Sequence, residues 1–131
     1  MNDDDAHERL RKIGRANMQR ILGDDYLRQR DAGTNALNAR LRQLSEEFAF
    51  GTVWEGKELD WRQRSMLTIA MLSALNRPAE LKLHVAAGLR NGLMPADIAA
   101  VLTHAAPYGG IPAAIDAMRV LEDVLEELAP R

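Results

Sequence analysis

The run from Trp61 to Leu75 (WRQRSMLTIAMLSAL) constrains the fold more than any other stretch of the chain. Met, Leu, Ile and Ala cover most of the circumference of a helix there, and Arg62, Gln63 and Arg64 gather at its start. A helix that is apolar nearly all round buries itself. In a chain of 131 residues it is either the central helix of one core or a helix packed against a second subunit. The periodicity leaves both open.

The flanking sequence supplies the rest of a helical architecture. Asp60 stands as an N-cap, and Gln63 three positions later completes a capping box. Residues 5–22 form an amphipathic helix with Leu10, Ile13, Met18, Ile21 and Leu22 as its apolar members, ended by Gly23-Asp24-Asp25. Residues 26–33 give no clear pattern. A second helix runs from Thr34 or Asn35 to Phe50, with Leu37, Leu41, Leu44 and Phe48 at spacings of three and four, and Gly51 stops it. Residues 51–59 are a loop carrying Trp54. Pro78 opens a helix that reaches Asn91, where Gly92 provides a left-handed stop. Pro95 opens another, through about Ala106. The stretch Pro107 to Pro112 is expected to break the chain sharply before a last helix from about Ala113 to Glu127. Ile115, Met118, Val120, Leu121 and Leu125 are apolar on that helix. With no β-alternation, internal repeat or low-complexity linker, the expectation is a single all-α domain over residues 1–131, of about six helices.

Composition removes several function classes. Seventeen basic residues against nineteen acidic ones leave no clustered basic excess for nucleic acid. No apolar run approaches the roughly 20 residues of a membrane helix. The start Met-Asn-Asp-Asp-Asp is the opposite of a cationic signal peptide, so a cytoplasmic protein is expected. There is no cysteine, which rules out disulfides, thiol redox chemistry and cysteine-ligated metals. The histidines are His7, His84 and His104, and no His-x-x-x-His or Glu-x-x-His pattern joins them to carboxylates, so no metal site is expected.

The candidates for chemistry are few. Glu80 and His84 stand four apart on one helix, so they share a face. A carboxylate beside an imidazole raises its pKa and orients its ring, which suits a general acid or base near neutral pH. The same spacing also describes an ordinary exposed helix pair. His104, in Leu-Thr-His-Ala-Ala-Pro-Tyr, reads more readily as a hydrogen-bonded core histidine than as a pocket donor. Arg62 and Arg64 are the most plausible anion binders, since guanidinium holds carboxylates bidentately, though a solvated helix end looks the same. Gly109-Gly110-Ile111-Pro112 lacks the spacing and the Lys-Ser/Thr ending of a phosphate loop, and Tyr108 before it is a candidate for facing a pocket.

The order of these segments adds a resemblance. Gly51-Thr-Val-Trp54, five residues, then Asp60-Trp-Arg-Gln-Arg-Ser-Met-Leu-Thr-Ile-Ala-Met-Leu72 resembles the central block of 4-carboxymuconolactone decarboxylases. Glu80-Leu-Lys-Leu-His-Val85, Asn91-Gly-Leu93 with an acidic helix start, and Tyr108-Gly-Gly-Ile-Pro-Ala-Ala114 follow in that family's order. The resemblance runs from about Phe48 to Val124; before it, Ile21-Leu-Gly-Asp24 resembles an early turn of the family. It implies an AhpD-like helical fold whose subunits assemble into trimers or hexamers, with the active site near a subunit interface around Glu80 and His84. Peroxidase-like members of the wider family carry two cysteines where this chain has Arg77 and Glu80, so their thiol chemistry is excluded here. What the resemblance implies instead is a cofactor-free decarboxylase acting on a small anionic lactone. In that reading Arg62 and Arg64 hold substrate carboxylates, His84 donates a proton or stabilises an enolate, and Glu80 orients His84 or carries a proton itself. His104 and Tyr108 are further pocket donors. The loops at 30–40 and 55–58 depart from the family pattern and are expected to bear on substrate choice. The alternatives are another anionic lactone or β-keto-type acid as substrate, or a non-enzymatic oligomeric binding protein.

Overall fold

A computed structural model describes residues 2–130, and among these every regular element is a helix, with no strand. The order is α1 (Asp3–Leu22), α2 (Asp24–Ala32), α3 (Ala39–Leu44), a π-helical segment (Ser45–Val53), α4 (Trp61–Ala74), α5 (Pro78–Arg90), α6 (Pro95–Gly109) and α7 (Ile111–Leu128). The all-α expectation holds. The helix beyond the expected six is α2, which lies in the stretch that showed no pattern. Contacts divide the chain into two compact units, Met1–Leu59 and Asp60–Arg131.

In the first unit, α1 begins earlier than expected because Asn2 and Asp5 form a capping box, with Asp3, Asp4 and Asp5 at the positive end of the helix dipole. Its buried side carries Met18, Ile21 and Leu22, as the spacing indicated. The packing of α1 on the π-segment is backbone against backbone. A Cβ on Gly14 would lie 1.9 Å from the Glu46 carbonyl oxygen, and one on Gly51 would lie 2.5 Å from that of Leu10. Only glycine allows this approach. The expected helix to Phe50 is therefore split and extended. It starts at Ala39, turns π-helical at Ser45, and passes through Gly51 instead of stopping there. Asn17 donates to the Phe50 carbonyl at 2.8 Å and to Glu55 at 2.8 Å. Trp54, just past the segment's end, is buried and stacks on Phe50 with ring centroids 5.8 Å apart. The apolar set Leu37, Leu41, Leu44 and Phe48 is present but exposed.

The second unit matches its sequence signals closely. The Asp60–Gln63 capping box forms, with Gln63 N–H donating to Asp60 at 2.7 Å and Asp60 N–H to Gln63 at 2.9 Å. Gly92 takes a positive φ of 97° after α5. The core is Ile69 of α4, Leu81 and Val85 of α5, Leu93, Ile98 and Leu102 of α6 and its approach, and Ala117, Leu121 and Val124 of α7. The break expected over Pro107–Pro112 is instead a single residue, Gly110, at φ 103°. Pro107 sits inside α6, within the last turn. There the missing N–H removes only one terminal bond. That turn is seated by Gly109, whose absent Cβ would stand 2.7 Å from the Ala74 side chain.

The orientation of these helices positions everything that follows. Arg62 at the start of α4 bonds Asp97 at the start of α6, and Ala74 at the end of α4 meets Gly109 at the end of α6. So α4 and α6 run side by side in the same direction. Asn91, at the end of α5, donates to Ser65 near the start of α4 at 2.9 Å, while Leu81 lies with Leu72 and Ser73. So α5 runs antiparallel to α4.

Candidate functional site

Arg62 and Arg64 are carried by the first turn of α4, fixed by the Asp60 cap. Arg62 is half-exposed and its guanidinium donates to Asp97 Oδ2 at 3.2 Å. The other function of Asp97 is to accept from the Met94 N–H at 2.8 Å, capping α6. Arg64 is partly buried. Ser65, fully buried, and Asn91 join the start of α4 to the end of α5 at this level, and Arg90, the last residue of α5, is exposed with its pKa lowered by partial desolvation. Ser65, Arg90, Asn91 and Asp97 are not among the candidates that the sequence pattern offers. By sequence Asn91 reads only as a helix end, and Asp97 belongs to the acidic helix start that follows Leu93. Ser65 carried one signal, a small polar residue in the middle of an apolar helix.

His84 lies in the interior of α5 and is 8% exposed. Burial pushes its pKa down from 6.5 to about 4, so the imidazole is neutral at pH 7. This corrects the expectation that Glu80 raises the pKa of His84. Glu80 is exposed in the first turn of α5 and makes no hydrogen bond or ion pair among the described residues. At that helix start its carboxylate is favoured by the dipole and by water, and it stays in solvent. The spacing was right and the pairing does not form.

The candidates therefore fall at two levels of the second unit. Arg62, Arg64, Arg90 and Asn91 belong to the end where α4 and α6 begin. Glu80 belongs to the other end, eleven residues or about 16 Å along α5 from Asn91, and His84 lies between, about 10 Å from Asn91. His104 and Tyr108 are on α6 toward that other end, both exposed, with ring centroids 5.6 Å apart and tilted by 40°. They form a surface aromatic pair, not a core histidine with a buried partner. Among the described residues, no three His, Asp or Glu side chains stand together as metal ligands would. No described helix is long and apolar enough to cross a membrane.

On its outer face α4 inverts the usual pattern. Its buried positions are Ser65, Ile69 and Ser73, whereas Leu67, Met71 and Leu75, at successive turns, are 45%, 57% and 65% exposed. Three large apolar side chains thus form a stripe on the surface of a single chain.

Comparison with known proteins identifies the family. The model of the carboxymuconolactone decarboxylase family matches residues 39–123, well over half of the chain. The 4-carboxymuconolactone decarboxylase of Acinetobacter baylyi is 31% identical over 128 residues, covering 98% of this chain and 92% of that protein. The nitrosuccinic acid decarboxylase of Metarhizium robertsii is 30% identical over 129 residues, covering 98% of this chain and 90% of its own. The helical fold, the matched region spanning α3 to α7, and relatives that share a reaction type lead to one conclusion: the chain belongs to the carboxymuconolactone decarboxylase family and is a carboxy-lyase.

Proposed function

We propose that this enzyme decarboxylates 4-carboxymuconolactone to 3-oxoadipate enol-lactone in the breakdown of protocatechuate, without a cofactor. The observation that carries the reading is the likeness to the Acinetobacter enzyme along 98% of the chain. The chemistry suits the side chains. As carbon dioxide leaves, the electron pair of the broken bond delocalises through the ring double bond into the lactone carbonyl. A proton then adds at the ring carbon beside that carbonyl. The substrate is its own electron sink, and the protein needs to hold carboxylates, stabilise the enolate and deliver one proton.

Arg62 and Arg64 hold the substrate carboxylates. A neutral His84 suits enolate stabilisation better than proton donation in the free enzyme, because its pKa of about 4 leaves little imidazolium at pH 7. A bound dianion raises that pKa by Coulomb attraction and brings the proton within reach. Glu80, His104 and Tyr108 act from the other level. Such a site is completed between subunits, and the Leu67–Met71–Leu75 stripe of α4 supports assembly into a trimer or hexamer. The loops at 30–40 and 55–58 tune the substrate.

A second reading is favoured by the Metarhizium relative: a nitro-substituted dicarboxylic acid, in which the nitro group takes up the electron pair. Both acids, supplied to the purified protein, test the readings together. Enol-lactone formation well above the spontaneous rate supports the first. Release of carbon dioxide from nitrosuccinate alone replaces it with the second. In either case, full activity in His84→Ala removes His84 from the mechanism.

A further inference from the structure

Outside the candidate site, the first unit holds a cavity of about 280 Å³ between α1, α2 and α3. Its walls include Arg11, Arg15, Arg42, Gln43, Asp31 and Glu46. The buried carboxylate of Glu46 accepts from Arg11 Nε at 3.1 Å, Arg15 at 3.0 Å and Arg30 at 2.8 Å. Arg15 also grips Asp31 with both Nη atoms, at 2.9 and 2.7 Å. Burial raises the pKa of Glu46, but the three guanidinium hydrogen bonds outweigh it and hold the carboxyl ionised below its ordinary range. Arg30 is buried against Glu46 and is not part of the wall, which carries the guanidiniums of Arg11, Arg15 and Arg42 against two carboxylates, so one positive charge on it remains uncompensated.

The donors left over are specific. Arg15 uses both Nη atoms on Asp31 and Glu46, and Arg30 uses both on Glu46 and the Arg42 carbonyl oxygen. Arg11 uses only Nε, leaving both Nη groups, and Arg42 uses only Nη1, on the Arg30 carbonyl and Thr34. Gln43 is half-buried on the same wall, and its amide makes no hydrogen bond among the described residues. Guanidinium groups and an amide lining a half-open cavity with a surplus positive charge are the recognition chemistry of an oxyanion.

We propose that this cavity is a binding site for a small dianionic oxyanion, held by Arg11, Arg42 and Gln43 and separate from the decarboxylation site. Inorganic phosphate and a short dicarboxylate share the required chemistry. Bound there, the ligand ties α1 to α3 and stabilises the first unit. The inference does not depend on which acid the enzyme decarboxylates.

The test is calorimetric titration of the full chain at low ionic strength with phosphate and, separately, succinate, alongside thermal melts. Saturable binding to one site per chain, with a rise in melting temperature, is expected for at least one of them, and the two arms identify the source. Arg11→Gln weakens it about tenfold. Gln43→Glu puts a carboxylate into the cavity itself, so it abolishes binding and raises the melting temperature without ligand. The double variant Arg62→Gln/Arg64→Gln, which disables the proposed substrate site, keeps the binding. Absence of saturable binding of either anion to the wild-type chain overturns the proposal. So does binding that survives both Arg11→Gln and Gln43→Glu, or binding that is lost in the Arg62/Arg64 variant.

Discussion

Replacing His84 by Gln should remove most of the pH dependence of stability between neutral pH and pH 4.5. The His84 side chain is buried, and its pKa falls from 6.5 to about 4 in the folded chain. Above the unfolded value the imidazole is neutral in both states, and the shift has no effect on stability. As the pH falls below 6.5, the unfolded chain takes up a proton that the native chain refuses, and the balance moves toward unfolding. Once the pH passes below the folded value, both states are protonated and the loss levels off. At about 1.4 kcal/mol per pKa unit, the full window corresponds to roughly 3 kcal/mol. Urea denaturation at fixed protein concentration, in steps from pH 7.5 to 4.5, should show the wild type losing most of that relative to His84→Gln. Glu46 and Asp31 do not confuse the comparison. Their pKa values are depressed from 4.5 and 3.8, so the stability they add is complete above those values and is lost only as the pH falls through the folded ones. Both proteins share that lower window. Equal pH slopes in the two proteins, or an imidazole NMR titration of His84 with its midpoint near 6.5, would refute the argument.

Three further expectations rest on packing and charge. Gly14→Ala places a methyl 1.9 Å from the Glu46 carbonyl oxygen and should cost more than about 3 kcal/mol or prevent folding, read by circular dichroism and urea midpoint. A folded variant of unchanged midpoint would show that α1 does not lie against the π-segment. Glu46→Gln strips the charge from a carboxylate holding three arginines and leaves Arg30 buried without its counter-ion, with an expected loss of about 3–5 kcal/mol. A loss below about 1 kcal/mol would mean the network is solvated. Met71→Glu, on the exposed stripe of α4, should leave the helical circular dichroism intact while shifting the protein to smaller species in light scattering, and unchanged mass would exclude this face from assembly.

The elements that were legible in the sequence are those whose signals are local. The Asp60–Gln63 box, Pro78, Gly92 and Pro95 act within one turn, and the helices they bound lie where they were placed. The misses have non-local causes. In α2, the run Asp-Asp-Tyr-Leu-Arg-Gln-Arg-Asp-Ala has almost no apolar face, and what docks it is Arg30 on Glu46, sixteen residues away. Gly51 reads as a stop when only its own neighbours are considered. It is a π-helical residue because Leu10 of α1 needs the space. Pro107 reads as a breaker, yet the last turn of α6 is held by Ala74 from another helix. The site divides in the same way. That Glu80 and His84 share one helix followed from spacing, but whether they pair depended on which of them faces the interior, and burial took only His84.

The two levels of the second unit lead to a last prediction. Along α5, Glu80 is about 16 Å from the end that carries Asn91, Arg62 and Arg64, farther than a single-ring lactone reaches. If Arg64 and Glu80 both serve the reaction, one chain does not bring them to one substrate molecule, and the pair must come from different subunits. The exposed Leu67, Met71 and Leu75 are the apolar surface on which such subunits would meet. Arg64→Gln and Glu80→Gln should each be nearly inactive alone. Unfolded together and refolded as mixed oligomers, they should recover a measurable fraction of wild-type decarboxylation, because some interfaces then combine an intact Arg64 with an intact Glu80. Hybrids that form and stay inactive would place both residues in the site of one subunit, contrary to the helix geometry. A fully active Glu80→Gln would remove Glu80 from the reaction and leave the cationic end and His84 to do the chemistry within one chain.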